Sequence, residues 1–289
     1  MLGPVLFILY TTPLTELIEK HCIRHEMFAD DTQLSHSESP DNYSDLVCSL
    51  QNCVKDIGLW MEENKLKLNS DTTGSILSSA PSSVNIILQL PHTITLSDAE
   101  IEFSGTVRNL GFIFDSNISM KYHIIKTCKA AYIEIRRTSS ICQCLTEDAT
   151  KTLVSSCILS RLDYCNSLLA GYPQTIIESI QQVQNSAIKL IFKSRRAEHA
   201  KPLLKQLHWL PMEQRIKYKT SCLCYHIITG TATQFLADLV QIYVPSRSLR
   251  SSSDDRTFRI PTFKRKQHGG WALFFCCTNL ELSPFCSPS

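Results

Sequence analysis

The sequence predicts an α+β fold whose first half mixes helices with short antiparallel strands and whose second half is helical. Three observations carry this. The chain has 289 residues, 43% hydrophobic and 19% charged, enough apolar material for one large domain or two ordinary ones. It holds only 9 glycines, too few for a loop-rich all-β protein. The hydrophobic period also changes near Met120, from short mixed runs to sustained spacings of three and four.

Element by element, Gly3-Pro4 opens a helix over residues 4–20, since proline is pre-organised for the first turn. Residues 22–29 read as a strand, Asp30-Asp31 as a polar break, and residues 32–35 as the returning arm of a hairpin. After the turn-rich stretch 37–42, Leu46, Leu50, Val54, Ile57 and Met61 share one helix face. Residues 66–69, 75–78, 86–90, 93–96, 101–103 and 107–114 are strand candidates, punctuated by Pro91, Asp98 and Gly105.

Beyond Met120, Ile125, Cys128, Tyr132 and Ile135 mark one amphipathic helix. Val154, Ile158, Leu162, Cys165 and Leu169 mark a second. Ile176, Ile180, Val183, Ala187 and Ile191 mark a third, with Gln181, Gln182 and Gln184 at polar positions. A fourth spans 212–228, and 246–255 is a Ser/Arg-rich linker or loop. The tail after Lys264 shows no period, and no solenoid-length repeat is present.

The net charge of +2 conceals an inversion. Residues 1–120 hold 6 Lys+Arg against 16 Asp+Glu, whereas residues 121–289 hold 23 against 11. That pattern suits an acidic half able to hold metal and a basic half able to meet a polyanion. Salt-bridging of an acidic domain to a basic one is the alternative.

Thirteen cysteines, with two C-x-C pairs and no C-x-x-C, fit reduced and mostly buried thiols in an intracellular protein. The apolar run 4–10 is too short to span a bilayer. No basic residue precedes it and no clear cleavage site follows, so neither a signal peptide nor a membrane partner is expected.

Adjacent carboxylates on a tight turn leave the backbone close together and can share divalent metal, as two-metal polymerases require. Asp30-Asp31 is such a pair, but about one Asp-Asp is expected by chance in a chain of this length, and Asp254-Asp255 is a second. His21, Cys22 and His25 supply fewer ligands than the four of a structural zinc site. Trp60, Trp209 and Trp271 read as packing residues. No Gly-rich phosphate loop or Ser-His-Asp arrangement can be assembled.

Order and spacing of longer segments say more. Leu2-Gly3-Pro4-Val5-Leu6-Phe7 resembles the end of the Pro-Gln-Gly motif B in reverse transcriptases of non-LTR, LINE-type retrotransposons. Phe28-Ala29-Asp30-Asp31-Thr32-Gln33-Leu34 resembles their aromatic-Ala-Asp-Asp box. Trp60-Met61 with Lys65-Leu66-Lys67-Leu68-Asn69 resembles the approach to motif D, and Asn109-Leu110-Gly111-Phe112 the turn of the primer grip. Ser160-Arg161-Leu162-Asp163-Tyr164-Cys165-Asn166, Leu207-His208-Trp209-Leu210-Pro211 and Pro245-Ser246-Arg247-Ser248-Leu249-Arg250 resemble the family's C-terminal region. The resemblance covers roughly residues 1–250.

It implies a partial right-hand polymerase palm, an antiparallel sheet with helices, over residues 1–115. An all-α thumb and helical C-terminal extension would follow over 116–245, then a polar linker and divergent tail over 246–289. Asp30 and Asp31 would be catalytic and bind Mg2+, and Leu110 and Gly111 would position the primer end. Lys126, Lys129, Arg136 and Arg137 would face the template–primer backbone. The partners implied are an RNA template and a DNA primer, with nucleotide as the small molecule.

Departures set a further expectation. The family's third metal-binding Asp lies upstream of motif B, Met1 falls inside motif B, and the first acidic residue here is Glu16. Thr72 stands where a lysine follows Asp71, and residues 266–289 depart from the family's ending. Catalysis by this chain alone is therefore not expected. A non-enzymatic nucleic-acid-binding remnant or a translated relic without function are the alternatives.

Overall fold

The computed structural model describes residues 2–38, 42–78, 93–96, 99–194, 198–238, 240 and 258. The chain is mixed α/β and divides into two compact units, Met1–Ser119 and Met120–Ser289.

The first unit opens with α1, Gly3–Glu19, with proline in its first turn. Strands β1, Arg24–Phe28, and β2, Asp31–Ser35, pair antiparallel with Phe28 opposite Asp31. Helix α2, Tyr43–Glu63, follows. Next come two further hairpins, β3 (Thr93–Leu96) with β4 (Ala99–Glu102) and β5 (Thr106–Asn109) with β6 (Phe112–Asp115). The core lies where Leu14 and Ile18 of α1 meet Ile23 and Cys53 and Ile57 of α2. Met27, Leu34, Leu50, Trp60 and Met61 pack around it, so Trp60 is a packing residue as the sequence suggested. Alternation along the strands therefore puts Met27 and Leu34 inward and Glu26, Phe28, Asp31 and Gln33 on the opposite face.

Several expectations need correction. Among the described residues the antiparallel strands form three separate two-stranded sheets rather than one. Residues 66–69 and 76–78 are not strands; Ser75 alone makes a bridge, parallel to Phe103. Residues 107–114 are a hairpin rather than one strand, because Leu110 and Gly111 both adopt positive φ, 46° and 82°. Two left-handed residues in succession reverse the chain as a type I′ turn does. The candidate strand 86–90 and the segments 245–250, 246–255 and 266–289, with Trp271 and Asp254-Asp255, lie outside the described residues.

The second unit is organised around α6, Gln174–Ile191. It packs against α3 (Lys121–Ile141), α4 (Glu147–Val154), α7 (Ala200–Gln206) and α8 (Met212–Ile228). Ile177, Ile180, Val183, Ala187, Ile188 and Ile191 bury one stripe of it. Gln184, expected at a polar position, is fully buried within that stripe. Its Nε2 donates to the Leu210 carbonyl at 3.0 Å, and Gln181 Oε1 accepts from Met212 N–H at 2.8 Å. The two amides thus satisfy backbone groups at the start of α8 that have no partner within the helix.

The expected single helix through Val154, Ile158, Leu162, Cys165 and Leu169 is broken. After α4 come a π-helical turn, Ser155–Leu159, then α5, Ser160–Asp163, and a 3-10 turn, Asn166–Leu169. A strict spacing of four drifts around a 3.6-residue helix, and the wider π turn keeps Val154, Ile158 and Leu162 all buried. Cys165 then ends the run at φ 52°. Helix α9, Gln234–Asp238, closes the described helical elements.

On α3 the buried face is set by Ile124, Ala131 and Thr138, so Ile125, expected inside, is 67% exposed. The sequence stripe was displaced by one position. The cysteines also differ from expectation. Cys53 and Cys142 are buried free thiols, but Cys22, Cys48 and Cys144 are exposed, and Cys224 is disulfide-bonded.

Candidate functional site

A hairpin turn lies where the sequence placed a break, shifted by one residue: Asp30 is in the turn, and Asp31 is the first residue of β2, paired with Phe28. The β1–β2 loop contains only Ala29 and Asp30, and Ala29 takes the strained left-handed conformation, φ 56°. A positive φ at the first central position lets two residues reverse a twisted ribbon. Both carboxylates are exposed. Asp31 shares its face with Gln33, about 7 Å along the strand.

That face meets the β5–β6 hairpin. Asn109, the last residue of β5, donates from Nδ2 to Gln33 Oε1 at 2.6 Å. Residues 76 positions apart thereby bring the Leu110-Gly111 turn beside the arm that carries Asp31. The exposed Phe28 lies across from Asp31 in the ladder. The hairpin base is anchored by Met27 and Leu34, and Thr15 Oγ1 of α1 donates to Met27 Sδ at 3.4 Å. The tip is therefore polar and open while its stem is fixed in the core.

The carboxylate pair suits a hard divalent cation, since Mg2+ takes one or two carboxylates and fills its remaining positions with water and phosphate oxygens. Among the described residues no group of three His, Cys, Asp or Glu side chains forms that could hold a metal. His21, considered above with Cys22 and His25, instead bonds Asp56 of α2, Nε2 to Oδ2 at 2.9 Å. Its ring fastens the end of α1 to α2.

In the second unit, Lys126, Lys129 and Arg136 line one exposed face of α3 together with Tyr122, Ile125 and Ile133. Among the described residues none of those three cations forms an ion pair. Arg137, expected to act with them, is engaged. Its Nη1 lies 3.2 Å from Glu134 Oε1, and Arg161 of α5 approaches the same oxygen, Nη2 at 3.5 Å.

Sequence reading missed a polar cluster in the second unit. Arg215 of α8 donates from Nε to Asp163 Oδ1 at 2.8 Å and from Nη2 to Oδ2, and Lys219 donates to the Asp163 carbonyl. Hydrogen bonding to Asp163 holds the Arg215 guanidinium above its ordinary pKa, against the opposing effect of burial. Asn166, 2% exposed, donates to Asp163 Oδ1 at 3.1 Å. Asp163 and Asn166 lie in the segment 160–166 and Leu210 in the segment 207–211. This network and the α6 glutamines make both segments parts of one scaffold.

The geometry defines a class: a mixed α/β chain with an acidic hairpin tip in one unit and a cationic helix face in the other. Among the described residues no helix is long and apolar enough to cross a membrane. Comparison with known protein families, with curated proteins and with solved structures finds no match to this chain.

Proposed function

We propose that the chain is a segment of an RNA-directed DNA polymerase of the non-LTR retrotransposon kind. Residues 1–115 contribute the acidic turn and primer-grip hairpin of a palm, and residues 116–245 contribute a thumb and helical extension. The observation that carries the reading is the Asn109–Gln33 hydrogen bond, which sets the Leu110-Gly111 turn beside the Asp30-Asp31 hairpin. A polymerase needs those two features adjacent, one for metal and one for the primer end. The α3 face supports it from the other unit, with three cations for phosphate contacts that give salt-dependent affinity. Asp30 and Asp31 supply part of a Mg2+ site, and the chemistry such an ion brings is activation of a 3′-hydroxyl and stabilisation of a leaving pyrophosphate.

The test is anisotropy of a labelled RNA–DNA duplex at low salt, with and without Mg2+. The expected result is binding that weakens with salt, plus a Mg2+-dependent increment that Asp30→Ala removes. Failure to bind at low salt overturns the reading. Salt-dependent binding with no Mg2+ increment favours a nucleic-acid-binding protein without polymerase chemistry, to which the α3 face already points.

A further inference from the structure

We propose that Arg137 and Arg161 form an anion site, sized for one phosphate group, that Glu134 occupies in the free protein. Two guanidiniums from separate helices, α3 and α5, converge on a single carboxylate oxygen, at 3.2 and 3.5 Å. Convergence of forked donors is how arginine pairs recognise phosphate, and a carboxylate is the internal group closest to phosphate in charge and hydrogen-bonding capacity.

The cluster carries two positive charges against one negative, so it attracts anions even when closed. Arg161 is held in place by a second bond, Nε donating to the Cys157 carbonyl at 3.1 Å in the π turn. Its guanidinium is therefore pre-oriented whether or not Glu134 is present. The side chains of Arg137 and Arg161 are 72% and 50% exposed, whereas Glu134 is 19% exposed. An incoming anion thus reaches the arginines from solvent and competes with the carboxylate beneath them.

For the proposed function, this site extends the cationic face of α3 across to α5, and it rests on reading that face as a phosphate-binding surface. Glu134 acts as a built-in competitor. A strand with several phosphates in register with Lys126, Lys129 and Arg136 displaces it, and an isolated anion does so poorly. The ligand chemistry is a phosphate monoester or diester, and free phosphate and a nucleic-acid backbone are the two sources to separate.

The experiment is calorimetric titration of the full chain with sodium phosphate and with an RNA–DNA duplex, in wild type, Glu134→Gln and Arg137→Gln. Glutamine keeps an acceptor for both arginines and removes the competing charge. The expected result is tighter binding of both ligands by Glu134→Gln, by several-fold. For the duplex, log K against log salt should steepen by about one for each further phosphate that the protein neutralises. Arg137→Gln leaves Glu134 neutralised by Arg161 alone and should weaken both. Tighter phosphate binding without tighter duplex binding establishes the anion site and separates it from the nucleic-acid reading. Unchanged phosphate and duplex affinity in Glu134→Gln overturns the proposal. Because Arg137 is a surface residue, its variant reports even if Glu134→Gln does not fold, and wild-type phosphate affinity in Arg137→Gln is equally fatal.

Discussion

The two units place their polar groups differently. In the first, Asp30 and Asp31 are exposed at a hairpin tip, and the one buried carboxylate among the described residues, Asp115, accepts only from its own turn, Asn117 and Ser119. In the second, a fully buried glutamine and a carboxylate–guanidinium pair lie between the helices and tie separate segments together. A polar group that must meet a ligand costs little when left in water. One that specifies how helices pack is buried and costs free energy wherever it lacks a partner, as Asn166 Oδ1 does among the described residues. The second unit therefore combines an exposed cationic face with polar groups that tie distant segments together, whereas the carboxylates of the first unit's candidate site stay on the surface.

Removing Asp163 should be the most damaging single change. Asp163→Ala leaves the Arg215 guanidinium without its bidentate partner and Asn166 without its acceptor. Breaking one side of a buried pair costs roughly 3–5 kcal/mol. Both side chains retain about a fifth of their exposure, 20% and 24%, so about 2–3 kcal/mol is expected after solvent screening. Denaturant unfolding followed by helical circular dichroism measures it. A loss below about 1 kcal/mol, within the range of surface ion pairs, would place the pair among surface contacts and erase the contrast between the units.

Gln184→Leu should cost less, about 1–3 kcal/mol, by stranding the Leu210 carbonyl and one amide bond of Gln181. A double-mutant cycle with Gln181→Leu shows whether the two amides act as one unit. Purely additive losses would mean that they cap the start of α8 independently.

These positions also show what the sequence made legible. The β1–β2 hairpin was readable because a polar Asp30-Asp31 break separates two short runs. Helix α2 was readable because Leu46 and Ile57 fall on one face and both are buried. The 107–114 hairpin was hidden from strand patterning, although the resemblance of residues 109–112 placed a turn there: a type I′ turn favours Asn-Gly, and here a leucine holds the first left-handed position. Gln184 was misplaced because amphipathic pattern assigns a glutamine to the solvent face, and its acceptor lies 26 residues away. The Asp163–Arg215 pair spans 52 residues, and nothing in local spacing encodes such a partner. For the candidate site, Asp30 and Asp31 were singled out only by the resemblance of residues 28–34, and their proximity to Leu110-Gly111 required the 76-residue contact of Gln33 with Asn109.

The strained turn offers a stabilising change. Leu110→Asn puts a residue that tolerates the left-handed region at φ 46° and creates the Asn-Gly pair preferred for this turn. A gain of about 1 kcal/mol is expected from relief of left-handed strain, measured as a rise in the melting midpoint of the first unit. If stability falls instead, the leucine is held there by contacts worth more than its backbone strain.

The smallest effects separate the units by pH. In the first unit, burial and then the charge of Asp56 push the Cys53 thiol up to about 11 from 9.0. Its folded pKa is raised, so the stability it contributes is complete below pH 9 and declines as pH rises toward 11. In the second unit, burial lowers the His123 pKa from 6.5, so the folded state favours the neutral ring. That contribution is complete above 6.5 and is lost as pH falls below it. Melting at pH 5.5, 7.5 and 9.5 should therefore weaken the second unit on the acid side, and on the alkaline side weaken the first through Cys53 and the second through Cys128, whose thiol burial also pushes up. Cys53→Ser should flatten the alkaline slope of the first unit and His123→Gln the acid slope of the second, each without moving the other. A single transition that shifts as one at both extremes would show that the units unfold together, and that burying polar groups in one stabilises both.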